Sequence, residues 1–476
     1  MSRLDMIITD GQVDFKGFLE EVLRLVIKDA IDTVSETLAA LDEEISRSGE
    51  MRGWESVGKR VRKLSTLWGM EIVVQRRGYR RAGRRGLRFP LDELLGLAEG
   101  EKYCPLVKAM GLDLGAKMSF REASSILTKH VRVEISHERV HQWVQEAGEQ
   151  RSKEQEGEDR KLAETGEVGV GRRKAEVVVI ETDGTFVSLQ QEGRRKDLEL
   201  KLGVIHEGWK EESPAGKRFR LVNKTIWGGQ LDSEEFWTRG QRLYYGQYEE
   251  VGTTAISGDG ADWIKAGTQY IDGSRFYLDR YHIQQAITRG VGWDRNMARQ
   301  IRQSVRYGRL DELERLLEAA KAVAPEQREL ERVQQLADYL LGNRGHLQDW
   351  RKVEKLLPEK VRGLGAAEGQ INHVLAARMT KRGMSWRVCG AHRMAQLRYL
   401  QAEGRLQSWV SDFAGKGWQS VQAQVAEKVI GRLKRASGRS LAQQAVQCLP
   451  ILTGRYATTP LGRTLKSIST GALALT

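Results

Sequence analysis

Three acidic residues carry the chemistry for which this sequence can be read. Asp183 follows the β-branched run Val177-Val-Val-Ile180, which is too short for a helix and reads as a strand buried on both faces. A carboxylate at the end of such a strand is costly unless a basic side chain or a cation compensates it. Asp259, in Ser257-Gly-Asp-Gly-Ala-Asp262, falls at the expected end of a second strand, and Glu368, in Gly365-Ala-Ala-Glu-Gly, opens a helix. Ile371 and Leu375 lie three and seven residues beyond Glu368, so its carboxylate shares their apolar face and needs a partner there. The three acids are expected to be catalytic and to hold two Mg2+ (or Mn2+) ions, which prefer hard oxygen ligands. Two such ions activate the attacking oxygen and stabilise the leaving oxygen of an in-line phosphodiester displacement. Water would attack in hydrolysis, a DNA 3′-hydroxyl in strand transfer. Glu181, Asp262, Asp279 and His282 are candidate auxiliary residues. Glu181 shares a strand face with Asp183, and Asp279 and His282 could equally clamp a strand to the following helix.

The elements that must position these residues follow from local patterning. Val177–Ile180, Phe186–Leu189 and the alternating Leu198–Ile205 read as three meandering strands, with Asp183-Gly184 ending the first. Thr254–Ser257 and Arg275–Leu278 read as further strands, each followed by a helix start. Three meandering strands and then alternating strand and helix is the order of a ribonuclease H-like α/β sheet. From about residue 284 the pattern is helical, with amphipathic stretches at Leu310–Val323 and Gln327–Leu341 separated by Pro325. This is an all-helical insertion ahead of Glu368.

The 476-residue chain has a formal net charge of +13, which points to an anionic partner, nucleic acid first and an anionic membrane surface second. Between Arg52 and Arg88 basic residues far outnumber Glu55 and Glu71, and glycine-separated arginine pairs suit phosphate contact. Arg76, Arg77, Arg80, Arg81, Arg84 and Arg85 are therefore expected to bind DNA. Ser119–His130 opens with a capping-box pattern, and Ser136 can cap a second helix presenting Arg139, His141 and Gln142. The pair has the outline of a DNA-binding helix-turn-helix. Lys381 and Arg382, beside the last acid, are expected to add DNA contacts. Cys104, Cys389 and Cys448 are isolated, which argues for a reducing compartment. The N-terminus carries acids where a signal peptide needs an apolar core, and no apolar run approaches the roughly 20 residues that span a bilayer. A soluble cytoplasmic protein is expected.

The motifs Glu181-Thr-Asp-Gly184, Glu199-Leu-Lys-Leu-Gly-Val-Ile-His-Glu-Gly-Trp209, Ser257-Gly-Asp-Gly-Ala-Asp-Trp-Ile264, Leu278-Asp-Arg-Tyr-His-Ile283, Gly365-Ala-Ala-Glu-Gly369 and Met384-Ser-Trp-Arg-Val-Cys-Gly-Ala391 with Met394-Ala395 resemble the bacterial ISLre-type insertion-sequence transposases, relatives of the Mutator-like DDE transposases. The resemblance runs from about Leu87 to Leu400. It implies a ribonuclease H-like core interrupted by a helical insertion, Asp183, Asp259 and Glu368 as the DDE triad, and cut-and-join chemistry at terminal inverted repeats. Asp279-x-x-His282 matches the Cys/Asp-x-x-His motif of the wider group. Because two element ends must meet, a homodimer or larger homo-oligomer acting on DNA ends and target DNA is expected, nucleoid-associated in a bacterium. A nuclease or resolvase without strand transfer, or a non-catalytic DNA-binding regulator, would share most of these features.

The expected layout is N-terminal amphipathic helices (1–50), a basic strand and ribbon segment (51–100), a helix-turn-helix-like domain (101–150), a charged linker (151–171), the first part of the core (172–283), the helical insertion (284–361), the last part of the core (362–400), and C-terminal helices with a tail (401–476).

Overall fold

The computed structural model describes residues 8–9, 12–13, 15–47, 51–81, 83, 86–169, 171–192, 195–212, 218–354, 363–381 and 383–414. It is a mixed α/β protein whose described residues form two compact units. One takes the residues up to Gly115, Phe120–Trp143 and those from Ser408 on; the other takes Ala116–Ser119 and Val144–Gln407. The helices expected at Val421–Leu433 and Leu441–Leu449 lie outside the described residues.

The first unit begins with α1 (Phe15–Arg47), a single long helix where the apolar spacing allowed one helix or two. It packs on an antiparallel hairpin of β1 (Glu55–Ser65) and β2 (Glu71–Arg80). Short helices α2 (Pro90–Leu94), α3 (Pro105–Lys117) and α4 (Phe120–Ile126) follow. The next helix, α5 (His137–Thr165), starts where Ser136 was expected to cap it: the Ser136 hydroxyl accepts the Arg139 N–H. The charged stretch read as a linker is instead helical as far as Thr165. Glu, Lys and Arg are good helix formers, and Lys153–Glu149 is an i,i+4 ion pair. Asp159, deeper in the same stretch, accepts hydrogen bonds from Arg239 and Arg242. High charge density was mistaken for lack of structure.

The second unit is built on one five-stranded sheet. Its strands are β3 (Arg173–Glu192), β4 (Arg195–His206), β5 (Thr225–Gly229), β6 (Tyr248–Gly258) and β7 (Arg275–Leu278), in the spatial order β7-β6-β3-β4-β5. β3 pairs antiparallel with β4, and β4 with β5; β6 is parallel to both β3 and β7. The two short strands expected on either side of Asp183-Gly184 are one continuous strand. Antiparallel pairing with β4 runs unbroken from Val179↔His206 to Ser188↔Asp197, so Asp-Gly does not turn the chain here. The third strand of the meander is β5. What ends near Asp183 is the parallel pairing, whose last rung is Ser257↔Glu181.

Val178 and Ile180 face one core, with Ile256, Phe236 and Trp237 of α6 (Ser233–Tyr245). Val179 faces the other, with Ala255, Tyr277 and Trp350. The strand is buried on both sides, as its composition requires. After β7 come α7 (Arg280–Val291), α8 (Arg295–Tyr307), α9 (Leu310–Ala322) and α10 (Gln327–Gly342), with Pro325 between the last two. They share the Val178 core through Ile287, Ile301, Leu313 and Leu336. Past them, α11 (Ala366–Gln370) runs into a π-helical turn, Ile371–Ala376, and α12 (Val388–Ala402) lies against β5. No helix among the described residues is long and apolar enough to cross a membrane.

Candidate active site

The sheet delivers two acids to one face. Residues 179, 181 and 183 alternate to the same side of β3, the side on which α11 packs. Glu368, third in α11, comes to Asp183, and His282, from the first turn of α7, joins them. One ligand atom from each of Asp183, His282 and Glu368 lies within 4.8 Å of the other two. Asn372 steadies the glutamate: its Nδ2 donates to Glu368 Oε1 at 3.3 Å.

Asp259 does not join this close group. Gly260 takes a left-handed φ of 96°, and the resulting turn lets Asp259 Oδ1 accept the Ala261 N–H at 2.9 Å. The carboxylate is directed to its own backbone, the ordinary habit of an Asp in a turn. It still stands close enough for its charge to act on both Asp183 and His282. Asp262 points into solvent beside Lys265 and takes no part in the cluster.

Asp279 acts through His282. Its Oδ1 caps α7 by accepting the Tyr281 N–H, and its Oδ2 accepts from His282 Nδ1 at 3.1 Å. That fixes the imidazole tautomer and leaves Nε2 for the cluster. Asp279 thus ties the end of β7 to α7 by hydrogen bonds, whereas His282, expected only as an auxiliary residue, lies with Asp183 and Glu368. The signal was there: Asp and His three apart at a helix start must lie on one face.

Glu181 is engaged elsewhere. Its Oε2 accepts the N–H groups of Gly365 at 2.7 Å, Ala366 at 2.6 Å and Ala367 at 3.4 Å, and its Oε1 meets His206 Nε2 at 3.1 Å. His206 Nδ1 accepts the Gly208 N–H, so Nε2 carries the proton and donates. The N-terminus of the helix bearing Glu368 is thus seated on a buried carboxylate, which its exposed donors and dipole favour. Gly365, with φ 133°, makes the turn that aims those donors. The expected role as an auxiliary ligand gives way to one as a seat for α11. His206 lies within the motif Glu199–Trp209, but no local pattern assigns it this role.

Burial pushes the Asp183 carboxyl up to about 6; the Gly184 N–H and His282 oppose this, while Asp259 and Glu368 add to it. Burial would lower the His282 pKa, but the hydrogen bond and charge of Asp279, with Asp183 and Asp259, outweigh it and raise it. Two carboxylates and an imidazole could hold a divalent cation, and the nitrogen donor suits Mn2+ better than Mg2+. The pH dependence follows from the sign of the Asp183 shift. Its folded pKa lies above the usual 3.8, so the stability gained from the protonated form is lost as pH rises from there through about 6. A cation must displace that proton at low pH. Any rise in Tm brought by Mg2+ or Mn2+ would therefore be small at about pH 5 and grow as pH rises through about 6 and then through the raised pKa of His282, whose proton must leave as well, as read by thermal melts across that range.

A cavity of about 280 Å³ opens beside the cluster, lined by Asp259, His282, Gln285, Arg289, Arg332 and Tyr339 among others. The Tyr339 hydroxyl donates to the Asp259 backbone oxygen at 2.9 Å.

The expected DNA-contacting residues divide. Arg76 donates to Asp92 at 2.7 Å and lies over the Phe89 ring, and Arg77 pairs with Glu43 at 2.8 Å. Both are turned inward by acids on either side of the Arg52–Arg88 run, which a charge count over that run does not see. Arg80 and Arg81 are exposed, as are His141 and Gln142; Arg139 is half-buried. Lys381 is exposed, and Arg84, Arg85 and Arg382 lie outside the described residues.

Residues 8–412 match the uncharacterised protein family UPF0236. The chain belongs to that family. The match takes in α1 and the basic hairpin, for which the sequence motifs offered no counterpart. Among relatives, the UPF0236 protein in vanSb 3'region of Streptococcus gallolyticus is 28% identical over 395 residues, 81% of this chain and 82% of the relative. Two UPF0236 proteins of Caldanaerobacter subterraneus subsp. tengcongensis are 26% and 25% identical over 389 residues, 81% of this chain and 77% of each relative. The names printed for these two join four and eleven locus designations respectively.

Proposed function

We propose that this UPF0236 protein is a DDE-type DNA transposase, resembling the ISLre-type enzymes, that cuts at the ends of an insertion sequence and joins the 3′-hydroxyls to target DNA. The observation that carries the reading is the meeting of Asp183, His282 and Glu368 at the edge where the parallel pairing of β3 and β6 ends. A central strand paired antiparallel on one side and parallel on the other supports a ribonuclease H-like reading, as does the helical segment 284–354 ahead of the last acid. Divalent ions bound there would activate the attacking oxygen and stabilise the leaving one. Asp183, His282 and Glu368 would supply the ligands, with Asp259 turning inward to complete a second site. Asp279 would hold His282 in the orientation the cluster needs. The helix pair ending in exposed His141 and Gln142 would read the element's ends. Relatives whose names join several loci of one strain fit a sequence that is copied about a genome.

The test is direct. Purified protein, Mg2+, a DNA carrying the element's end and a target plasmid are expected to yield joined products. Cleaved ends without joining would make it a nuclease; binding without cleavage would leave a DNA-binding regulator.

A further inference from the structure

The helix α8 carries a feature that the active site does not use. Arg295, Arg299, Arg302 and Arg306 recur at intervals of four, three and four residues, which places all four on one face. Its sequence, RNMARQIRQSVRY, contains no acid. Ala298, Ile301, Ser304 and Val305 occupy a separate, buried face. Among the described residues none of the four arginines has a carboxylate within ion-pair distance. Arg299 bonds to the Asn296 side chain, and Arg302 to Gln284 and Thr288 of α7. Like charges one turn apart repel, and these are left uncompensated.

Aromatic rings stand at both ends. Trp293 is 37% exposed and Tyr307 57%, and Arg306, Arg309 and Lys352 gather about the Tyr307 ring at 5.9, 5.2 and 5.8 Å from its centroid. The stripe from Arg295 to Arg306 is about 16 Å long at 1.5 Å per residue. The phosphates of one DNA strand advance 3.4 Å or so along the duplex axis, so a stripe of this length can meet several of them. α7 joins this helix to the cluster, since it begins beside His282 and packs against α8.

We infer that the arginine face of α8 is a DNA-binding surface that grips the backbone flanking the active site. The inference rests on DNA being the protein's substrate, but not on the chemistry done there. Phosphates supply the missing counter-charge, and guanidinium groups held in a row meet them without base preference. Tyr307 and Trp293 offer ring faces for a sugar or an unpaired base.

The test uses the full-length protein and a random-sequence 30-base-pair duplex, with affinity followed against salt. The triple variant Arg295→Gln, Arg299→Gln, Arg306→Gln spares Arg302, which also ties α8 to α7. It is expected to melt like the wild type and to lose about 3 from the slope of log affinity against log salt, near 0.9 per phosphate contact. Lysines at the same three positions should restore most of the slope. Glutamines at Lys16, Lys28 and Arg47, exposed on the acid-rich helix α1, should leave it unchanged. An unaltered slope in the triple variant, or an equal loss in the α1 control, would overturn the inference. So would a variant that keeps its DNA binding while losing binding to phosphatidylglycerol vesicles. Since the readout is binding, the surface can stand or fall separately from cleavage or joining.

Discussion

Asp183→Asn is expected to abolish metal-dependent DNA cleavage while making the metal-free protein more heat-stable, not less. The carboxylate sits buried beside Glu368 and within the field of Asp259, and its pKa of about 6 records how strongly the fold resists ionising it. Asparagine removes that resisted charge and keeps the shape. On the proposed function, catalysis would suffer because a ligand of the metal site is gone. A metal contributes several kcal/mol of charge stabilisation to a transition state, and at about 1.4 kcal/mol per decade the rate should fall about a thousandfold. Glu368→Gln should behave alike in cleavage, with DNA affinity nearly intact. Single-turnover cleavage and paired melts at about pH 7.5 without metal check both halves. A variant that melts well below the wild type would show Asp183 to be a structural carboxylate, and cleavage within tenfold of wild type would remove it from the reaction.

Glu181→Ala is expected to have the largest effect on stability of any single change near the site. The side chain is almost wholly buried, and removing it leaves the N–H groups of Gly365, Ala366 and Ala367 and the His206 Nε2–H without their acceptor. Breaking a buried charge interaction from one side costs about 3–5 kcal/mol. Glu181→Gln separates seating from folding. Its carbonyl oxygen can still accept from α11, but its amide presents a donor to the His206 donor, and the negative charge facing the helix end is lost. That variant should fold, bind Mn2+ about 10–100-fold more weakly, as changes to groups that orient ligands do, and cleave correspondingly slowly. Isothermal titration with Mn2+ beside a melt distinguishes the outcomes. Unchanged Mn2+ affinity in a folded Glu181→Gln would mean that the seat under α11 does not govern Glu368.

Much of the frame was legible along the chain because it depends on near neighbours. The β-branched run at Val177–Ile180, the strand Arg275–Leu278, the cap at Ser136 and the helices either side of Pro325 follow from periodicity and local hydrogen bonding. So did Asp183 and Glu368 as partners, because a carboxylate on an apolar face needs one. The errors share a cause. Asp183-Gly184 has the local signature of a turn, yet ten rungs of cross-strand pairing, from Val179 to Ser188, hold it extended. The stretch after Gln150 looks like a linker until Arg239 and Arg242 supply its partners. Arg76 and Arg77 look free until Asp92 and Glu43 arrive from other elements.

The sequence by itself determined which side chains could do phosphodiester chemistry, because residue type and local spacing decide which groups can bind a cation. Only the tertiary structure decided which of them meet. It brought His282 into the cluster, turned Asp259 onto its own backbone and gave Glu181 to the helix that carries Glu368. The first and last of these rest on contacts between residues distant in the chain, 184 to 186 positions apart for Glu181 and α11, and their geometry is set by sheet register and helix seating, which no local pattern encodes. The Asp259 turn is local, and only the fold shows that it leaves the cluster without that side chain.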